Sequence, residues 1–116
     1  MNKNTKPLGQ KAYGSIPHLP YSRLGEGDHH IEIGQAEIAT KKARDKNDLI
    51  IVQEKLDGSN CSVAKVNGQI LALGRSGYLT ETSPYEQHQL FSKWVKSNEY
   101  RFFKLLDENE RVSGEW

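Results

Sequence analysis

The chain has 116 residues, room for one small domain or part of a larger one. Its 16 Lys+Arg stand against 15 Asp+Glu, a formal net charge of +1, which excludes a polycationic nucleic-acid coat and an acidic solvating tail. The single cysteine, Cys61, excludes a disulfide framework and a Cys-rich zinc site; no apolar run approaches the roughly 18 residues of a membrane span, and the basic start MNKNTKPLGQK has no apolar segment behind it. These features predict a soluble, cytoplasmic protein whose contacts with nucleic acid come from a local patch.

In chain order, residues 1–34 are broken by Pro7, Pro17 and Pro20 and by five glycines, and read as loops with at most one short strand. Residues 35–44, QAEIATKKAR, are rich in helix formers with Ala36, Ala39 and Ala43 along one face, which predicts a short helix. A polar turn at 45–48 precedes LIIV, a β-branched run that predicts a buried strand over 49–56.

Two strand-like runs follow, CSVAKV and QILALGRS, separated by Asn67-Gly68. Asn-Gly is the strongest short-range hairpin signal, because a type I′ turn needs positive φ at both central residues. A two-residue loop pairs Val66 with Gln69, Ala64 with Leu71 and Ser62 with Leu73, and brings Asn60 opposite Arg75. Opposed side chains share one face, so Asn60 and Arg75 are expected to point the same way. A bulge at Gly74 would break that register.

Ser83, Pro84 and Glu86 predict a helix start, with Ser83 as N-cap and Glu86 completing a capping box. Leu90, Phe91, Trp94 and Val95 form an apolar stripe at helical spacing. A second helix is predicted after Ser97 or Asn98, with Tyr100, Phe103 and Leu106 inward. Beyond the polar DENE turn, RVSGEW alternates like a strand. The fold class expected is α+β, an antiparallel sheet with a hairpin and flanking helices.

EKLDGSN (54–60) carries the chemistry-bearing residues. It enters a glycine turn at the end of a predicted strand, which would hold a lysine on a rigid element while Gly58 lets the backbone approach a ligand. By itself KxDG favours the plainer reading, a surface lysine before an Asp-Gly turn, because four-residue matches arise often by chance.

EKLDGSN, GRSG (74–77) and SGEW (113–116), in this order, resemble the RNA-ligase branch of the covalent nucleotidyltransferase superfamily, which includes RNA and DNA ligases and capping guanylyltransferases. Lys55, Asp57 and Gly58 match its first motif, and Glu54 and Asn60 look like the RNA-ligase form. Arg75 falls where the family places an arginine on the next strand, and Glu115 where motif III has its glutamate. YGSIPHLPYSRLG and SPYEQHQLF also look like bacterial and phage-type RNA-ligase-domain proteins.

The resemblance implies a partial nucleotidyltransferase (ATP-grasp-like) domain that uses ATP and Mg²⁺. It implies that Lys55 is the nucleophile that takes AMP. The adenylate then passes to an RNA 5′-phosphate, and a 3′-hydroxyl displaces AMP. By the same resemblance Glu54, Asp57, Gly58, Asn60, Arg75 and Glu115 bind nucleotide. A lysine with pKa about 10.4 is almost wholly protonated at neutral pH and needs activation. Glu54 and Asp57 favour the protonated amine, so a divalent metal and other cationic groups must offset them.

The family pattern continues with motifs IIIa and IV and the paired lysines of motif V, none of which stands in these 116 residues. Residues 1–116 are therefore expected to be the N-terminal portion of an RNA-ligase nucleotidyltransferase domain, cut off after motif III. Such a segment is expected neither to ligate RNA nor to accumulate lysyl-AMP alone; it reads either as a truncated gene product or as a piece completed by another chain carrying motifs IV and V. Alternatives of other kinds are a DNA-ligase or capping-type nucleotidyltransferase, a nucleotide- or RNA-binding remnant without chemistry, and a remnant that does not fold.

Other residues read more plainly. His29 and His30 are neighbours on one strand of chain and are expected in hydrogen-bonding loop roles rather than on one metal ion. Cys61 is expected to be a small buried residue. KKARDK (41–46) reads as a solvated helix face, and Phe91, Trp94, Phe102 and Phe103 as core.

Overall fold

The computed structural model describes residues 5–116; residues 1–4, the start of the basic MNKNTKPLGQK run, lie outside it. Its elements are α1 (Ile33–Thr40), β1 (Asn60–Val66), β2 (Gln69–Gly74), a 3-10 turn (Thr80–Thr82), α2 (Glu86–Ser97), α3 (Glu99–Leu105) and β3 (Arg111–Glu115). The chain packs as two compact units: Leu56–Trp116 together with the residues up to Gly14, and Ser15–Lys55. The class is α+β, with one antiparallel sheet in the order β2-β1-β3.

The hairpin forms as its sequence predicts. Asn67 and Gly68 take φ of 51° and 72°, as a type I′ turn demands, and the pairing runs unbroken from Val66–Gln69 to Cys61–Gly74 without a bulge. Glu108 closes the turn from outside. Its carboxylate accepts the N–H of Asn67 and, at 3.0 Å, that of Gly68. Glu108→Ala is expected to cost about 1 kcal/mol, because both amides then return to water. A lower urea midpoint with an unchanged m-value would register this.

Strand alternation divides the sheet into two faces, and each has its own core. Cys61, Val63, Ile70 and Ala72 point toward the helices and pack with Phe91, Val95 and Leu106, with Phe102 alongside. Ala64, Val66 and Leu73 point the other way and pack with Leu79 and Ala12, with Leu8 and Leu71 against them. The second face is thus closed by the N-terminal segment rather than by a helix. Ala12 and Tyr13 donate their N–H groups to the Arg75 carbonyl at 3.1 and 3.3 Å, and Arg111 Nε donates to the Ala12 carbonyl at 2.6 Å.

Several expected boundaries shift. The LIIV run is not a strand. Residues 49–57 lie outside any ladder, and Leu49, Ile51 and Val52 are 86%, 77% and 90% exposed, against a prediction of burial. β-branched residues favour extended backbone, but a strand exists only through ladder partners, and among the described residues this run has none. Helix α1 starts earlier than predicted and stops at Thr40, leaving residues 41–44 outside it; of its alanines only Ala36 is buried. There the Thr40 hydroxyl bonds back to the Ala36 carbonyl and the amides of Lys41 and Lys42 both converge on Glu37, which closes the last turn.

The capping box does not form. Tyr85 occupies the N-cap position of α2, while Ser83 ends the 3-10 turn in extended backbone. Its hydroxyl is already engaged, accepting the Tyr85 N–H at 3.2 Å and hydrogen-bonded to the His88 ring at 2.7 Å. Phe91 and Val95 are buried on α2 as the stripe predicts, but Leu90 and Trp94 are exposed. On α3 the inward residues are Phe102 and Leu106, not Tyr100 and Phe103. Asn98 leaves helical backbone at φ −120°, ψ 15°, which resets the phase between the two helices, and Lys65 holds the outward Phe103 ring with its ammonium 4.1 Å from the centroid.

Candidate functional site

The motif residues of the first unit meet at the end of the sheet opposite the hairpin turn. Asn60 lies directly opposite Glu115 in the β1–β3 pairing, so the two side chains share a face. Two residues along, Ser62 and Ser113 stand opposite each other and share a hydrogen bond of 2.5 Å, which pins this face beneath them. Arg75 follows Gly74, the last paired residue of β2, and so stands one step beyond the pairing that the hairpin register extends toward Asn60.

Gly58 is there because nothing larger fits. A Cβ on it would lie 2.7 Å from the Trp116 carbonyl oxygen and 3.5 Å from Glu115 Oε2. Its absence lets Ser59 and Trp116 exchange both backbone hydrogen bonds, at 3.0 and 2.9 Å, which carries Gly58 up against the third motif. Asp57 is exposed beside it. Lys55 and Glu54 belong to the second unit, at the end of the unpaired extended run, and both side chains are exposed.

Asn60 carries a signal of its own. Its Oδ1 is buried with no hydrogen-bond partner, an arrangement that native proteins rarely leave unmet. The amide oxygen can only accept, so what it lacks is a donor. Arg75 is exposed, and among the described residues it takes part in no ion pair, so it is not the cross-strand carboxylate partner that a structural role would require. Its Nη2 rests on the Gly14 carbonyl at 3.4 Å. Cys61 is buried beneath this end, as expected; burial, then the nearby Glu115 carboxylate, push its thiol above the ordinary value, which disfavours the thiolate.

Two contributors were not legible in the sequence. Trp116 packs its indole on Phe91 and Trp94, at 5.3 and 5.5 Å between ring centroids, and anchors the backbone that meets Gly58. The aromatic residue directly after Glu115 was the available clue. The strap of residues 10–14 that holds the Arg75 carbonyl had no local signal beyond its glycine. A second glycine, Gly77, allows that strap to pass. It has φ of +96°, and a Cβ on it would run into the Gln10 carbonyl oxygen.

In the second unit His30 Nε2 is hydrogen-bonded to the Ser22 carbonyl at 2.7 Å, and His18 Nε2 lies 3.5 Å from Asp28. These are loop-bracing roles, and among the described residues no group of three His, Cys, Asp or Glu could hold a metal ion. A groove of about 680 Å³ along the outer edge of β2, lined by Ile70, Val95 and Phe103, contains none of the motif residues.

This sheet end, with Gly58 laid against a strand that ends in Gly-Glu, accords with the comparison to known families. The family model described as RNA ligase matches residues 48–116, more than half of the chain. The chain belongs to the RNA-ligase family. No curated protein and no solved structure matches it.

Proposed function

We propose that this chain carries the nucleotide-binding portion of an ATP-dependent RNA ligase, a nucleotidyltransferase segment in which Lys55 takes AMP for transfer to an RNA 5′-phosphate. Family membership supports the ligase class. The observation that carries the nucleotide site is Asn60: a buried acceptor without a donor costs roughly 1–3 kcal/mol, a loss that a ligand donor would recover. Glu115, directly opposite, adds acceptors suited to a ribose hydroxyl, and Arg75 adds a fork of donors suited to phosphate. Glu54, Asp57 and Gly58 complete the set by resemblance.

In the first step the neutral Lys55 amine attacks the α-phosphorus. A nitrogen–phosphorus bond forms, the bond to the β-phosphate oxygen breaks, and pyrophosphate departs with the electron pair while the amine proton passes to solvent. The side chains described do not of themselves compose a Mg²⁺ site, and a hard cation of this kind is commonly carried in on substrate phosphates with its waters. By the same resemblance the lysines that hold the α-phosphate belong to motif V, and in this proposal a complementing chain supplies them.

Arg75→Ala tests the site. Its side chain is exposed while the strap is held by its backbone carbonyl, so the fold is expected to persist. ATP affinity, followed by fluorescence of Trp94 and Trp116, is expected to fall about tenfold, as loss of a charge-assisted contact predicts. Equal affinity in variant and parent would remove Arg75 from the site.

A further inference from the structure

Next to Arg75 lies a second cavity, distinct from the Asn60–Glu115 end. It encloses about 330 Å³ and is lined by Gly74, Ser76, Tyr78, Thr82, Tyr85 and His88, among others. The walls come from three places: the tight loop that returns from Gly74 to Tyr78, the 3-10 turn, and the entry to α2. The loop is closed by two backbone bonds, Gly74 N–H to the Tyr78 carbonyl at 2.9 Å and Gly77 N–H to the Gly74 carbonyl at 3.0 Å. The space is therefore built rather than left by a wandering segment.

Its chemistry is one-sided. No lining residue is acidic, and hydroxyl groups predominate. The hydroxyls of Thr80, Thr82 and Ser83 are spent on the protein, bonding to the Ala72 carbonyl, the Leu79 carbonyl and the His88 ring. Among the described residues the Ser76 hydroxyl, both tyrosine hydroxyls and His88 Nε2 have no protein partner. Tyr85 is 62% exposed and Tyr78 39%, so each offers ring surface, and the Lys6 ammonium lies 5.2 Å from the Tyr78 centroid.

Flat aromatic surface, free hydroxyls, an imidazole nitrogen and a nearby cation, with no carboxylate to repel phosphate, match a ribonucleotide within a strand. We propose that this cavity is a subsite for one nucleotide of the single-stranded RNA to be joined, with its base on Tyr85 and its ribose–phosphate against Ser76 and His88. The assignment rests on the ligase reading above and deepens it. Because the cavity shares the Gly74–Tyr78 loop with Arg75, it would present the RNA end beside the nucleotide site.

The test uses the whole chain, a fluorescent 5′-phosphorylated RNA oligonucleotide, the DNA oligonucleotide of the same sequence, and ATP. Tyr85→Ala is expected to weaken RNA binding about tenfold, and Tyr85→Phe to leave it within about twofold, since stacking needs the ring and not the hydroxyl. His88→Gln is expected to weaken RNA binding several-fold, and the parent to prefer RNA to DNA. ATP affinity and the circular dichroism spectrum should stay as in the parent for all three variants. No RNA binding by the parent, equal binding of RNA and DNA, or RNA affinity indifferent to both Tyr85→Ala and His88→Gln would overturn the subsite. If RNA binding follows Tyr85 while ATP does not bind at all, the ligase reading fails and the RNA subsite stands. If ATP binds and RNA ignores Tyr85, only the subsite fails.

Discussion

Lys55→Ala is expected to abolish covalent AMP transfer in any protein that joins this chain to the paired lysines of motif V. Incubation with Mg²⁺ and ATP labelled at the α-phosphate, followed by a denaturing gel, should show label on the parent and none on the variant. A nitrogen–phosphorus bond is expected to resist base and yield to acid, which separates it from a phosphate ester. Lys55→Arg is expected to be equally blank, because a guanidinium keeps the positive charge but does not supply a free amine. Label retained by either variant would move the nucleophile elsewhere. The side chain is exposed, so neither change should disturb packing, and a blank result reports chemistry rather than unfolding.

The largest effect on stability is expected at Leu73. Its side chain is 0% exposed and joins Ala12, Ala64, Val66 and Leu79 on the face away from the helices. Truncation to alanine removes buried methyl groups and leaves a void, at a cost of about 3 kcal/mol. Small domains hold only about 5–15 kcal/mol in all, so this is a large fraction of the margin. Ile51→Ala supplies the contrast. Ile51 sits in the most strand-like run of the sequence yet is 77% exposed, and its loss is expected to change stability by about 0.5 kcal/mol or less. Urea unfolding followed by tryptophan fluorescence would rank the two, and a larger effect at Ile51 would contradict the fold.

These two positions also mark how far the sequence could be read. Much that is set by neighbours within a few residues was legible. Asn67-Gly68 specified the turn, the turn specified the register as far as Cys61–Gly74, and the alternation of RVSGEW specified β3. The spacing also placed Phe91 and Val95 in the core. What depended on competition between possible partners was not legible. LIIV has the composition of a strand, but pairing is a property of two segments. Ser83 has the right spacing for a capping box, but the His88 ring holds its hydroxyl. The phase of α3 depended on how Asn98 breaks the helix.

The site divides in the same way. Asn60, Gly58 and Glu115 could be named from motif spacing, and the sheet sets Asn60 opposite Glu115. That Asn60 Oδ1 would be buried without a partner could not be read, since it depends on what surrounds it in space. The cavity beside Arg75 was equally hidden, because its walls come from residues whose helical and turn roles gave no hint of a shared space.

The strap that closes the second face has a practical meaning for anyone trimming this protein. Recognisable kinship begins at residue 48, yet the sheet it defines is sealed by Leu8 and Ala12, which lie far upstream of that point. Homology and cooperativity thus draw different borders. A recombinant piece cut to residues 48–116 would leave Leu73 and Leu79 without Leu8 and Ala12 against them and the Arg75 carbonyl without its two amide donors, so it is expected to be less stable than the whole chain.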